Sequence, residues 1–302
     1  MDTIKDIIVF VEFEEYELKI IAFSAALAKI LDADVTLMHV LHTGYDYLEV
    51  GGYGKSIEIA YERALNRARH LMDEYIQEVS QIYDVTFHKK LAMGHPLDEF
   101  INFTNIKKGI AVLPNYRKTA KLKFTTPKIT HKALRKLNTN MIFVNGEFLP
   151  RIDKISISKI LVPVDFSEYS KSALRFAASI ASKNGAQIHA ISIIHPPRVS
   201  PELLEDIELN YQEFISVLQR EVKNKLDNLI SECTRECQIN TITSEVLEGQ
   251  PPDVILELSR EKFDLISMGI KGRSLSEKLL VGSVTEQVVE LSDIPVAVIR
   301  SF

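Results

Sequence analysis

Residues 159–166 read Lys-Ile-Leu-Val-Pro-Val-Asp-Phe, and residues 6–13 read Asp-Ile-Ile-Val-Phe-Val-Glu-Phe. Each run is short, apolar and rich in β-branched residues, which predicts a buried strand, and a helical pattern follows each. Behind the later run come Ser167 and then Ala173, Leu174, Phe176, Ala177, Ala178, Ile180 and Ala181, an apolar helical face that stops at Asn184-Gly185. Further along, the pattern predicts strands over 186–194, 239–247, 264–268 and 295–300, with helices over 201–237, 252–262 and after Gly282. Strands that alternate with helices, several of them apolar nearly throughout, predict a parallel sheet covered on both faces.

The chain also repeats itself. Residues 33–40 match 186–193, Gly94-His-Pro96 matches Gly249-Gln-Pro251, and 140–144 match 294–299. The matches keep chain order with an offset that drifts by only a couple of residues, as expected of two copies of one unit. The fold class is therefore α/β, with two tandem open five-stranded parallel-sheet domains, helices on both faces. Residues 146–158 contain Gly, Pro and several charges and read as a connector, which divides the chain into domains 1–146 and 158–302 with a linker over 147–157.

Composition agrees with this division. The chain has 302 residues, 46% hydrophobic and 25% charged, a length and balance suited to two globular domains. Lys and Arg total 36 against 41 Asp and Glu, so the electrostatic footprint of a duplex-binding protein is missing and no nucleic acid is expected as partner. The local cluster Arg117, Lys118, Lys121 and Lys123 reads as a solvated loop, with an anion or partner contact as its alternative. No membrane span is expected, because the longest apolar candidate, 20–31, is interrupted by Ser24 and Lys29. Asp2, Asp6 and Glu12 near the start differ from the basic-then-apolar pattern of an export signal. Cys233 and Cys237 are the only cysteines; they read as ordinary thiols on one helix face and point to a reducing cytoplasm.

In open α/β sheets ligands bind beyond the carboxyl ends of the strands, where strand order reverses. Asp165 closes the first strand of the second half. Gly269 follows the strand 265–268 and begins Gly269-Ile-Lys-Gly272, nine residues intervene, and Gly282-Ser283-Val-Thr285 opens the last helix. Glycines let backbone amides approach an anion closely, and a helix start adds unpaired N–H groups and the positive end of the helix dipole. Ser283-Val-Thr-Glu286 also fits a capping box, in which Ser283 would serve only as the N-cap. Neither Gly-x4-Gly-Lys-Ser/Thr nor Gly-x-Gly-x2-Gly after a first strand occurs, which argues against P-loop chemistry and an NAD dehydrogenase.

Pro163-Val-Asp165-Phe-Ser167 together with Met268-Gly-x2-Gly272-x9-Gly282-Ser283 resembles the ATP-binding pattern of the universal stress protein family, and the chain as a whole resembles a tandem of two such domains. The resemblance implies an adenine nucleotide α-hydrolase-like fold and ATP, with Mg2+, as ligand. It implies that the amides of Gly269, Gly272 and Gly282 and the hydroxyls and amides of Ser283 and Thr285 face the phosphates. Asp165 would accept from the ribose, Pro163 and Ile193 would help form the adenine slot, and Met268 and Val284 complete the set. Lys271 and Arg273 are candidate added charges. Family dimers associate through the closing strand, so the resemblance further implies that 140–144 and 295–300 pair in an intramolecular pseudo-dimer, and that two chains can associate further. The function expected is that of a stress-response regulator with an unidentified protein partner. The alternatives are a slow ATPase at the same loop, since no general base for water is evident, and a scaffold that binds no nucleotide.

The first half departs from the pattern. Glu12 stands at the position of Asp165 and Phe10 at that of Pro163, Pro114-Asn-Tyr-Arg117 lacks glycine, and Pro127-Lys128 falls opposite Gly282-Ser283. Prolines have no N–H to offer a phosphate, so this half is expected not to bind ATP in the family manner. His39, His42, His88 and His95 cluster around its predicted strand ends; they read as crevice histidines, with a metal or anion site as the alternative.

Overall fold

The computed structural model describes residues 4–42, 54–107, 109–115, 127–194, 201–235, 237, 239, 241–272 and 281–302. The chain forms two compact units, Met1–Ser156 and Ile157–Phe302. In the first, β1 (Asp6–Phe10), β2 (Asp34–His42), β3 (Phe87–Gly94), β4 (Ile110–Pro114) and β5 (Met141–Val144) alternate with α1 (Glu17–Leu31), α2 (Gly54–Ser80), α3 (Pro96–Lys107) and α4 (Pro127–Lys136). The second repeats this order with β6 (Lys159–Pro163), α5 (Glu168–Asn184), β7 (Gln187–Ile194), α6 (Pro201–Thr234), β8 (Ile242–Glu248), α7 (Pro251–Lys262), β9 (Leu265–Gly269), α8 (Ser283–Leu291) and β10 (Val296–Ile299).

Within the first unit the strands lie in the order β3-β2-β1-β4-β5, and within the second β8-β7-β6-β9-β10, all neighbours parallel. Order reverses between β1 and β4, and between β6 and β9. The central strands are buried on both faces, as parallel strands under helices must be, whereas β3 and β8 are half exposed. Both copies fill the space beside the sheet with one helix face: Ile20, Phe23 and Leu27 of α1 stand where Ala173, Phe176 and Ile180 stand on α5, all buried. Full burial of a side chain the size of Phe176 stabilises by roughly 1.5–3 kcal/mol.

The duplication extends to the backbone. Left-handed residues recur in pairs: Phe13 (φ 61°) with Phe166 (67°), Asp32 (60°) with Gly185 (75°), and Gly94 (143°) with Gly249 (142°). Asp32 and Gly185 close the first helix of their units, each donating its amide four residues back, to Ala28 and Ala181. At its other end α5 is capped by Ser167, whose Oγ accepts from the Ser170 amide, with Glu168 in the first turn suiting the helix dipole.

Residues 146–158 are folded rather than loose. Lys19 Nζ donates to the Leu149 carbonyl, Tyr83 Oη donates to the carbonyls of Ile152 and Ile155, and a 3-10 turn spans Ile152–Lys154. Element ends also shift from expectation: β8 begins at Ile242, and β6 ends at Pro163 rather than at Asp165, because Phe166 turns the chain into the left-handed region. Among the described residues no helix is long and apolar enough to cross a membrane.

The paired caps generate a test. Gly185→Ala forces a Cβ into a left-handed position and is expected to cost about 1–2 kcal/mol, whereas Asp32→Gly relieves the same strain and is expected to raise the thermal midpoint. Chemical denaturation of the two single variants checks both signs.

A candidate anion-binding crevice in the second unit

The carboxyl ends of β6 and β9 meet at the reversal of strand order, and a cavity of about 200 Å³ opens there. Its wall contains Pro163 and Asp165 after β6, Ile193 of β7, and Met268, Gly269 and Gly272 around the end of β9. Gly282, Ser283, Val284 and Thr285 at the start of α8 complete it. All ten residues singled out from the sequence therefore border one cavity. Lys271 lines it as well, its ammonium 5.5 Å from the centre of the Tyr169 ring, a cation–π distance. Arg273 lies outside the described residues, as do Arg117, Lys118, Lys121 and Lys123.

Five further wall residues escaped the sequence reading: Val164, Ser170, Ile191, Pro251 and Ile255. Two of them carried a signal. Ile191 is two residues from Ile193 on the same face of a strand, and Ile255 is one helical turn beyond Pro251 of the repeated Gly-x-Pro element. The apolar wall is thus broader than Pro163 and Ile193 alone.

Two glycines are required by close approach. A Cβ on Gly269 would lie 2.7–2.9 Å from Cβ and C of Tyr169 and N of Ser170, so β9 can lie against the start of α5 only without a side chain. A Cβ on Gly272 would lie 2.5 Å from Asp165 Oδ2. The other oxygen, Oδ1, accepts from the Ser167 amide at 3.1 Å and from Ser167 Oγ at 2.6 Å. The Asp165 carboxylate is exposed at the mouth, held on one side by Ser167 and bounded on the other by bare backbone.

The start of α8 separates the two readings of Ser283. Gly282 is the N-cap, in extended conformation, and Ser283 is the first helical residue with an exposed side chain. The capping-box role therefore does not apply to Ser283. No side chain caps this helix, and helix geometry gives the amides of Ser283, Val284 and Thr285 no intrahelical acceptor. Two donors implied by the resemblance are already engaged: the Gly282 amide donates to the Ile270 carbonyl at 2.9 Å, and the Thr285 hydroxyl donates to the Gly269 carbonyl at 2.9 Å. Thr285 thus ties α8 to the end of β9.

The corresponding place in the first unit is built differently. Pro114 ends β4 and Pro127 begins α4. Glu12 holds the position of Asp165 and Glu17 that of Ser170. Glu17 is fully buried, and its Oε2 accepts from the amides of Glu12 and Glu14 at 2.9 and 3.3 Å. Burial pushes the Glu17 carboxyl up to about 8 despite those donors, and it pushes Glu12 up to about 7, with the Glu14 charge adding to the effect. His39 lies under Phe13 with ring centroids 4.6 Å apart, its Nδ1 2.8 Å from the Val11 carbonyl, and burial holds its imidazole below the usual range. His88 meets Asp34 and His95 meets Asp98. Among the described residues no group of three or more His, Cys, Asp or Glu is arranged to hold a metal ion. Cys233 is buried, Cys237 partly so, and both are free thiols.

The sequence pattern of the universal stress protein family matches residues 156–300. A universal stress protein of Methanocaldococcus jannaschii is 33% identical over 169 residues, 56% of this chain and 92% of that protein. One of Bacillus subtilis is 27% identical over 146 residues, 47% of this chain and 99% of its own. In three dimensions, a universal stress protein from Archaeoglobus fulgidus aligns over 98% of this chain and 96% of its own with a TM-score of 0.64 at 16% identity, a likeness of fold.

The two glycines predict unequal costs. Gly269→Ala drives a methyl into backbone and is expected to lose about 1–3 kcal/mol, whereas Gly272→Ala meets only Oδ2 at the end of an exposed carboxylate and is expected to lose less. Denaturant midpoints of the two variants check the order.

Proposed function

The chain belongs to the universal stress protein family, and we propose from that premise that its second unit binds ATP, with Mg2+, as a nucleotide-responsive regulator of a stress response. The observation that carries this reading is the convergence of the ten sequence-chosen residues on one cavity at the strand-order reversal. The residues fit the ligand by chemistry. Pro163, Ile191, Ile193, Pro251 and Ile255 offer an apolar wall for a base, and Asp165 offers acceptor capacity for ribose hydroxyls. The bare backbone at Gly272, the open amides at the start of α8 and the exposed Ser283 hydroxyl suit phosphate oxygens. Mg2+ would be carried on the phosphates with its own waters, which is how this hard cation usually binds.

Regulation is favoured over turnover because Asp165, the carboxylate among the described wall residues, already accepts from Ser167. The first unit binds no nucleotide in this reading, since Glu12 replaces Asp165 and Pro114 and Pro127 withhold amides where phosphate would need them. We assign the protein to the cytoplasm, with an unidentified protein partner sensing the nucleotide state.

Isothermal titration with Mg-ATP is expected to give one site per chain. At about 100 times the dissociation constant the ligand is expected to add ~2.7 kcal/mol of stability, seen as a raised thermal midpoint that Gly272→Val abolishes. A shift that survives in Gly272→Val, or none at saturating Mg-ATP, overturns the reading.

A further inference from the structure

The second unit has another cavity, of about 220 Å³, at the opposite end of its sheet. Lys159 opens β6, Gln187 opens β7 and Thr241 stands just before β8, so these three lie at the amino ends of the strands, away from the crevice. Together with His189 and Thr243 they form the polar wall. Leu258, on the last turns of α7, and Phe263, just after that helix, add an apolar one.

The duplication supplies a control, because in the first unit the same positions carry their own carboxylates. Asp6, buried at the start of β1, accepts from Thr36 Oγ1 and faces Lys107 Nζ at 3.4 Å. Asp34, at the start of β2, meets His88 Nε2 at 3.0 Å. Strand register puts Lys159 where Asp6 stands and Gln187 where Asp34 stands, with His189 for Thr36 and Thr243 for His88. Both carboxylates are absent from the second unit, and an ammonium holds the place of the buried one.

The carboxylates nearest this wall are in use elsewhere. Asp264 Oδ2 accepts from the amides of Ser158 and Lys159 at 2.7 and 2.9 Å, and Glu245 Oε2 lies 3.4 Å from His189 Nε2. Neither belongs to the cavity wall. The Lys159 side chain has no ion pair or hydrogen bond among the described residues. His189 is held from two sides: its Nδ1 lies 2.8 Å from Thr243 Oγ1, and its ring stacks on Phe263 with centroids 5.9 Å apart and planes 23° apart. The wall therefore combines a cation that lacks a counter-charge with a fixed flat surface.

We propose that this cavity binds a small organic carboxylate with a flat apolar body. The ligand's carboxylate meets Lys159 and supplies the charge that Asp6 supplies in the first unit. Its body lies along His189, Phe263 and Leu258. A hydrogen bond between an ammonium and a carboxylate is stronger than one between neutral groups, and the Gln187 amide and Thr241 hydroxyl are further donors for the carboxylate oxygens. Inorganic phosphate fits less well, since it gains nothing from the apolar wall.

The test titrates the full chain with sodium benzoate and follows the His189 imidazole by 1H–13C NMR, its resonances identified by their loss in His189→Gln. Benzamide, which has the same ring and no charge, and inorganic phosphate are the comparisons. Benzoate is expected to shift the His189 resonances saturably and to bind about tenfold or more tightly than benzamide. Lys159→Gln is expected to weaken benzoate by a similar factor. No saturable shift at millimolar benzoate overturns the proposal, as does equal binding of benzamide, phosphate as tight as benzoate, or no effect of Lys159→Gln. Should that variant fail to fold, the ratio of benzoate to benzamide in wild type decides alone. The reporter lies in this cavity, so the result stands apart from whether the crevice takes ATP.

Discussion

The contact between the end of β9 and the start of α5 constrains everything around it. Gly269 comes so close to Tyr169 and Ser170 that a single methyl group would not fit. That approach brings the end of β9 beside the mouth formed after β6, and it fixes where Gly272 meets Asp165. Thr285 then closes the arrangement by donating to the Gly269 carbonyl, so that α8 starts at the same point. The crevice follows from these short distances more than from any one polar residue. In the first unit Tyr16 is met instead by Gly146, where an added Cβ would lie 2.6 Å from the Tyr16 Cβ, while Pro114 occupies the place of Gly269.

The fold was legible because its signals are redundant. Runs such as 159–163 are apolar throughout, a pattern that suits a strand buried on both faces, and the same order of elements occurs twice. What the pattern leaves open is where elements stop. Those ends are set by backbone conformation, as at Phe166, a bulky residue in the left-handed region that no propensity scale favours there. Asp32 is similar: an aspartate closes α1 where glycine closes α5, and only the repeat reveals that the two positions are equivalent.

The crevice was half legible. Glycines and a helix start at fixed spacing point to a loop that can approach an anion, and that geometry is present. Which donors remain available is a three-dimensional matter. The Gly282 amide and the Thr285 hydroxyl are used internally, and nothing in the local sequence says so. Glu17 was missed altogether. A glutamate in the first turn of a helix ordinarily reads as a solvated charge that suits the helix dipole, and its full burial depends on packing from α2 and the preceding turn.

Two copies of one topology in a single chain run a folding hazard, because a strand of one copy can enter the sheet of the other. The contact at Gly269 is a steric safeguard against such hybrids. If β4 took the place of β9 beside β6, Pro114 would carry its ring to the spot where even a Cβ strikes Tyr169. The mispaired sheet is penalised at its centre, where the correct one is most tightly packed. Divergence between the two crevices thus helps the second half to keep its own strand.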